Sequence, residues 1–112
     1  MKKTLAILIL LLPSSFSIAG TATSANVIGI MSDQGHGDKV FIKLNKPIDN
    51  SPDCYTNSIW SFVLPIETEL TKKTLFSMLL TAYSAQKPIT VIGYGTCDTH
   101  NGIETLRRIE LK

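Results

Sequence analysis

Residues 59–95 have the sequence IWSFVLPIETELTKKTLFSMLLTAYSAQKPITVIGYG, which predicts a helix between two strands. The first strand covers residues 59–64 and should direct Trp60, Phe62 and Leu64 into the core. The second covers residues 89–95, where Ile89 and Val91 alternate with other residues and two glycines indicate a bend. Residues 67–86 between them predict one amphipathic helix, because apolar residues recur at helical spacing: Leu75, Met78, Leu79, Ala82 and Tyr83.

Upstream of this segment, two short runs predict a hairpin. VIGIM at residues 27–31 and KVFIKL at residues 39–44 flank the turn-forming sequence SDQGHGD. In the second run, Val40, Ile42 and Leu44 share one face, which we assign to the core. Downstream, residues 103–111 form the last predicted strand, with a bulge expected between Leu106 and Ile109.

The predicted order is strand, strand, strand, helix, strand, strand. Five strands with a helix between the third and fourth are typical of the OB-fold, a small Greek-key barrel. A half-open antiparallel sheet covered by one helix is the rival architecture. We therefore predict a single OB-like domain over residues 27–112, preceded by a flexible N-terminus at residues 20–26.

The first 19 residues have the layout of a secretory signal peptide. Lys2 and Lys3 precede an apolar run at residues 5–12, which is too short to span a bilayer. The small residues around Ala19 favour cleavage after that residue, with Ala22 and Ala25 as alternatives. We expect an exported protein, periplasmic or secreted, with no membrane span.

The charge balance argues against a nucleic-acid partner. The net charge of +2 comes from 11 basic and nine acidic residues. Two of the basic residues, Lys2 and Lys3, lie in the predicted signal peptide, so the exported part is neutral. A neutral chain lacks the clustered Lys and Arg that a phosphate backbone requires.

The exported part contains only two cysteines, Cys54 and Cys97. In an oxidising compartment, two cysteines in a small domain most often form a structural disulfide. By chain-entropy arithmetic the loop over residues 54–97 gives an upper figure of about 4 kcal/mol of stabilisation. The spacing matches no metal-binding motif.

No catalytic residue, metal site or cofactor is predicted. The two histidines, His36 and His100, lie in separate turns, each two residues from an aspartate, Asp38 and Asp98. No activated nucleophile accompanies them. An enzyme that used both histidines would need the two turns to lie close together in space.

A binding module is the remaining class, and OB-type barrels bind oligosaccharides and oligonucleotides on one face and its adjacent loops. Sugar recognition combines an aromatic surface with polar groups for the hydroxyls. The candidate ligand-binding residues of suitable type are Tyr55, Asn57, Ser58 and Tyr94. A wider aromatic platform could combine Phe41, Tyr55, Trp60 and Tyr94.

The sequence resembles the B subunits of subtilase-cytotoxin and pertussis-like toxins. The likeness lies in Cys54, the NSIW segment at residues 57–60, the passage LFSMLLTAYSAQKPITVIG at residues 75–93, and Cys97. The resemblance implies an OB-fold, a ring of five subunits, binding of sialylated or other cell-surface glycans, and a toxin A subunit as a further partner. Ser32 lies near the position expected for the family's glycan-contacting serine.

A polar stripe on the predicted helix would suit the centre of such a ring. Small or polar side chains recur on the side opposite the apolar face: Lys73, Ser77, Thr81 and Ser84. We therefore expect a homopentamer that binds a carbohydrate. The alternative is a periplasmic OB-fold stress or inhibitor protein that binds another protein.

Overall fold

The computed structural model describes residues 18–66 and 69–112. Most of the predicted signal peptide, residues 1–17, and the predicted helix start at Glu67 and Thr68 lie outside the described residues. Six strands and one α-helix follow in chain order: β1 (Thr21–Ala25), β2 (Val27–Met31), β3 (Lys39–Leu44), β4 (Phe62–Pro65), α1 (Leu70–Ala85), β5 (Ile89–Gly93) and β6 (Glu104–Leu111). A short 3-10 turn, Gln34–His36, lies between β2 and β3.

The strands form one curled, barrel-like sheet in the order β1-β5-β6-β4-β3-β2. All pairs are antiparallel except β4 with β6, which is parallel. The two outermost strands of this order, β1 and β2, are separated in the chain by Asn26 alone. They therefore act as two halves of one bent strand, which gives the strand order of an OB-like barrel.

The bend explains why six strands replace the five predicted. Residues 20–26 are not a flexible N-terminus, because Thr21 and Ala22 pair with Ile92 and Val91 of β5. A register shift follows Ala22, and Ser24 has a φ of 50°, so the chain turns sharply before β2 begins. The polar sequence TATSA has no apolar alternation that would predict a strand. It becomes a strand because it pairs with the edge of β5.

Alternation along the central strands places the core as predicted. Val40, Ile42 and Leu44 point inward, and Phe62 and Leu64 of β4 meet them there. On β6, Leu106 pairs with Gly93 while Arg108 pairs with Ile92. The extra residue between them, Arg107, forms the bulge that the sequence predicts.

The helix α1 packs against β2, β4 and β6 on the core side of the sheet. Leu75, Leu79 and Ala82 are buried against the core, whereas Tyr83, predicted to join them, remains 42% exposed. Tyr83 lies at the margin of the apolar face, where its ring can reach solvent. The helix ends at Gln86, whose left-handed backbone donates an N–H bond to the Ala82 carbonyl.

Cys54 and Cys97 form the predicted disulfide. The bond joins the long β3–β4 connection to the β5–β6 connection across a sequence separation of 43 residues. Within the described residues, no helix has the length and apolar character that crossing a bilayer requires.

Candidate ligand-binding site

Two turns that are far apart in sequence meet on the outer face of the sheet. His36 lies in the β2–β3 loop and His100 in the β5–β6 loop, and their ring centroids are 5.6 Å apart. Both rings approach Phe41 of β3 edge-on, with centroid distances of 5.4 Å for His36 and 4.9 Å for His100. The two turns therefore close over the same residue.

Local hydrogen bonds shape the turn that carries His36. The carboxylate of Asp33 accepts the Gly35 N–H at 2.9 Å, and the His36 N–H bonds to the Asp33 carbonyl at 3.0 Å. Gly37 then takes a φ of 77°, which a residue with a side chain rarely adopts. These contacts direct the His36 ring toward Phe41.

A tight reversal shapes the second turn. The Ile103 N–H donates to the His100 carbonyl at 3.3 Å, and Gly102 has a φ of 84°. The Asn101-Gly102 pair thus provides the reversal that the sequence predicts. In an OB-fold these two connections, between the first and second and between the fourth and fifth strands, flank the ligand-binding face.

Phe41 belongs to a second apolar cluster on the outside of the sheet. Phe41, Val63 and Ile103 are almost fully buried, and Met31 and Trp60 pack on them. We call these five residues the outer cluster. The Trp60 ring lies 6.0 Å from Phe41 between centroids. Phe41 is only 2% exposed, so it supports the two turns rather than offering a free stacking surface.

The prediction that Trp60 lies in the main core is wrong. Strand β4 begins at Phe62, because residues 57–60 form a turn in which the Asn57 side-chain oxygen accepts the N–H groups of Ile59 and Trp60. The distances are 2.8 and 2.7 Å. This turn breaks the alternation on which the prediction depended and places Trp60 on the outer cluster instead.

The electrostatics favour a neutral His100. Burial, and then the nearby positive charges of Lys39 and His36, lower the pKa of His100 below its usual value. The Lys39 ammonium lies 3.5 Å from the His100 Nδ1 atom, which can accept a hydrogen bond when unprotonated. His36 lies on the solvent side, with its Nε2 atom 3.9 Å from the Asp33 carboxylate.

The β2–β3 loop has a second side, which faces a cavity of about 380 Å³. Loop residues line this cavity together with Lys39 and Ile66, whose N–H bonds to the Asp38 carbonyl at 2.8 Å, and Phe76 of α1 lines it as well. The cavity therefore combines polar and apolar side chains, as small-ligand sites commonly do. The lining includes Ser32, Gln34, Asp38, Lys39, Ile66 and Phe76.

The sequence-predicted binding residues do not form one site. Tyr55 donates its hydroxyl proton to the Trp60 carbonyl at 2.8 Å, and Asn57 holds the neighbouring turn. Burial, with a smaller effect of the Glu104 charge, raises the pKa of Tyr55. Ser58 is exposed beside them. Tyr94 instead lines a separate cavity between α1 and β6.

The chemistry available at the two histidines is limited. Within residues 18–66 and 69–112, no Ser, Thr or Cys side chain is hydrogen-bonded to either imidazole. The same residues contain no group of three or more His, Cys, Asp or Glu side chains arranged to hold a metal ion. The Nδ1 atom of His100 lies 3.5 Å from the Lys39 ammonium.

The sequence predicts both histidine-bearing turns, but it predicts neither their contact nor the cavity beside them. The available signal was the OB topology itself, which brings the β2–β3 and β5–β6 connections to one end of the sheet. Phe76 was the harder residue to find. Its place in the cavity lining depends on how α1 packs, which the helical periodicity does not specify.

The predicted polar stripe on α1 is present on the surface. Lys73, Ser77, Thr81 and Ser84 are all exposed. The hydroxyls of Ser77 and Thr81 donate to the carbonyls four residues earlier, at 3.0 and 2.9 Å. Leu80, in the same part of the helix surface, is 43% exposed. Apart from Lys73, the stripe thus consists of short polar side chains.

Comparisons with known protein families, characterised protein sequences and solved structures find no match for this chain.

Proposed function

We propose that this chain is an exported, non-catalytic binding module whose ligand is a carbohydrate. The observation that carries the proposal is the cavity between the β2–β3 loop and α1. Its volume of about 380 Å³ falls within the range of small-ligand sites. The disulfide is compatible with an oxidising, exported compartment.

The lining chemistry supports a sugar over a purely apolar ligand. Ser32, Gln34 and Asp38 offer hydroxyl, amide and carboxylate groups for sugar hydroxyls. Phe76 provides an aromatic ring in the same lining, which suits the apolar face of a pyranose. A ligand in this position would contact both the polar groups and the ring.

The two histidines help to hold in place the β2–β3 loop that lines this cavity. His36 packs on His100 and Phe41, so the loop that forms one wall is held against the sheet. A wall fixed before binding lowers the ordering cost of ligand association. In this proposal His36 and His100 are positioning residues, and the absence of a hydrogen-bonded nucleophile among the described residues supports binding rather than catalysis.

Assembly belongs to the same proposal. The likeness to toxin B subunits suggests a ring of five chains in contact through the α1 stripe, with an A subunit as an additional partner. The exposed and compact side chains at Ser77 and Thr81 would let helices approach closely. The ligand cavity contains Phe76 and Lys39 and leaves this stripe free for contacts between subunits.

A glycan array probed with the exported, folded protein tests the ligand. We expect binders, with affinity reduced at least tenfold by Asp38→Asn, because the carboxylate is an acceptor for sugar hydroxyls. Asp53→Asn is the matched control, since Asp53 is an exposed aspartate in another loop. Tyr94→Ala tests the separate cavity and should leave binding unchanged.

An array without binders, or equal affinity in the Asp38 and Asp53 variants, contradicts the carbohydrate site. Capture of a periplasmic protein partner that Asp38→Asn abolishes, together with an empty array, would instead support the protein-binding alternative.

A further inference from the structure

Glu104 is a buried carboxylate that the proposed site does not use. Its side chain is fully buried at the start of β6. The Oε2 atom accepts backbone N–H bonds from Gly20 at 3.0 Å and from Gly95 at 2.8 Å. The Oε1 atom has no hydrogen-bond partner among the described residues. A buried carboxylate with one oxygen that accepts no hydrogen bond is energetically costly, so a further partner for Oε1 would stabilise the fold.

No cationic side chain supplies that partner. Across residues 18–66 and 69–112, no Lys, Arg or His lies within ion-pair distance of Glu104. The nearest backbone is shaped around the carboxylate instead. A Cβ atom at Gly20 would lie 2.3 Å from Oε1, and one at Gly93 would lie 2.0 Å from Oε2. Glycine at these positions therefore leaves room for the carboxylate beside the main chain.

We propose that cleavage of the Ala19–Gly20 bond converts the Gly20 nitrogen into the cation that pairs with Glu104. This inference rests on the proposed export. In the reaction, an export-associated endopeptidase adds water across the peptide bond. Ala19 leaves with the new carboxylate, and Gly20 keeps the nitrogen, which takes up protons to become an α-ammonium group.

Before cleavage, the Gly20 nitrogen already lies 3.0 Å from the Oε2 atom of Glu104. As an amide, the Gly20 nitrogen carries one hydrogen, which it donates to Oε2. As an ammonium group it carries three hydrogens and a positive charge, so it can also serve Oε1, which lies close to the Gly20 α-carbon. Processing would thus replace a half-satisfied buried carboxylate with a buried ion pair.

The same geometry distinguishes between the cleavage positions. A cut after Ala22 or Ala25 would remove Gly20 and, with it, the pairing of Thr21 and Ala22 with β5. It would also leave Glu104 without one of its two hydrogen-bond donors. The structure therefore favours Ala19 over the other two positions.

The experiment compares four proteins exported from their full precursors. One has the native sequence, a second has a serine inserted between Ala19 and Gly20, and Glu104→Gln is made in each background. Intact mass spectrometry first establishes the N-terminus of each product. The insertion keeps the hydrogen bond from the Gly20 amide N–H to Glu104. It differs from the native product by one added serine, which carries the ammonium group one residue away from Glu104.

We expect the native product to begin at Gly20 and the insertion to lower its melting temperature by about 5 °C or more. Glu104→Gln should lower the melting temperature strongly in the native background and far less after the insertion. Equal melting temperatures for the native and insertion proteins, equal effects of Glu104→Gln in both backgrounds, or a product that begins at Thr23 or Asn26 would overturn the inference.

A second measurement avoids variants that fail to fold. NMR titration of the α-amino group in the native product should give a pKa above the ordinary range of about 7.7–8.0, because the attraction of the adjacent carboxylate for the charged form outweighs the lowering that burial causes. A pKa within that range contradicts the ion pair. Carbohydrate binding is measured separately on the native and insertion proteins, so loss of the sugar site and loss of the ion pair give different results.

Discussion

At His100, burial and two neighbouring side chains act in the same direction. Burial, and then the electrostatic effect of Lys39 and of His36, lower the pKa of His100 in the folded protein. The unfolded chain, with an ordinary pKa of about 6.5, therefore binds more protons in the window below that value. Stability rises with pH through this window, and it is lost as the pH falls toward the lowered pKa of the folded state.

We expect the melting temperature to fall as the pH is lowered below about 6.5, and His100→Gln to flatten this dependence. Thermal unfolding followed by circular dichroism at a series of pH values measures it. The difference between the two proteins isolates His100, because the remaining titratable groups are shared. A difference that does not vary with pH contradicts the lowered pKa of His100. The neighbouring Asp33 carboxylate, near His36, is present in both proteins.

Asn57 holds the turn that places Trp60 on the outer cluster. Its side-chain oxygen accepts two backbone N–H groups, so Asn57→Ala should lower the free energy of unfolding by about 1–2 kcal/mol. Trp60 is the only tryptophan, so its fluorescence emission should shift toward the solvent-exposed value. Urea unfolding and emission spectra measure both effects.

Asn57→Asp is the control, since it keeps an acceptor oxygen at the same position. It should retain most of the stability and the native emission maximum. If Asn57→Ala and Asn57→Asp behave alike, the hydrogen bonds from the Asn57 oxygen are not what positions Trp60.

At the scale of elements, α1 offers two adjacent leucines in opposite environments. Leu79 is fully buried against the barrel, whereas Leu80 is 43% exposed. Leu79→Ala should lower the free energy of unfolding by about 2–5 kcal/mol, because it removes buried methyl groups and leaves a cavity. Leu80→Ala should change it by about 0.5 kcal/mol or less. Urea unfolding of both variants measures the contrast, and equal losses would contradict the packing of α1.

Local alternation was sufficient to predict some elements. Strands β2 and β3, their hairpin and the Arg107 bulge all follow from patterns within a few residues. Strand β1 could not be predicted in this way, because TATSA has no apolar alternation and owes its order to β5 and, through Gly20, to Glu104. The start of β4 was misplaced because the Asn57 turn interrupts the pattern before Phe62.

The candidate site was harder to predict than the elements that form it. His36 and His100 were identified as turn residues, but their 5.6 Å separation depends on the closure of the whole sheet. Residue type groups Tyr55 with Tyr94, whereas the fold places Tyr94 in a cavity lined by residues of α1 and β6. Residue type indicates what a side chain can do, while the non-local strand pairings decide which side chains meet.

At the scale of the whole molecule, the disulfide links the β3–β4 connection to the β5–β6 connection. Cys54→Ser combined with Cys97→Ser should lower the free energy of unfolding by up to about 4 kcal/mol, because the unfolded chain regains the freedom of a long loop. Urea unfolding of the oxidised native protein and the double variant measures the loss. The core residues are unchanged in the variant, so its far-ultraviolet circular dichroism should stay native at low urea. A variant as stable as the native protein would show that the bond restricts the unfolded chain little.

Assembly into a ring is the prediction that involves the most residues at once. If α1 helices meet at the centre, Ser77→Arg should break the assembly, because a long charged side chain would have to be buried between neighbouring subunits. Ser51→Arg, at an exposed loop serine elsewhere, introduces the same side chain and should leave assembly intact. Multi-angle light scattering after size-exclusion chromatography should give five times the chain mass for the native protein and the Ser51 variant, and a smaller species for the Ser77 variant. A native protein that is monomeric at micromolar concentration excludes the ring, while pentamers in all three proteins would place the contact on a surface other than the α1 stripe.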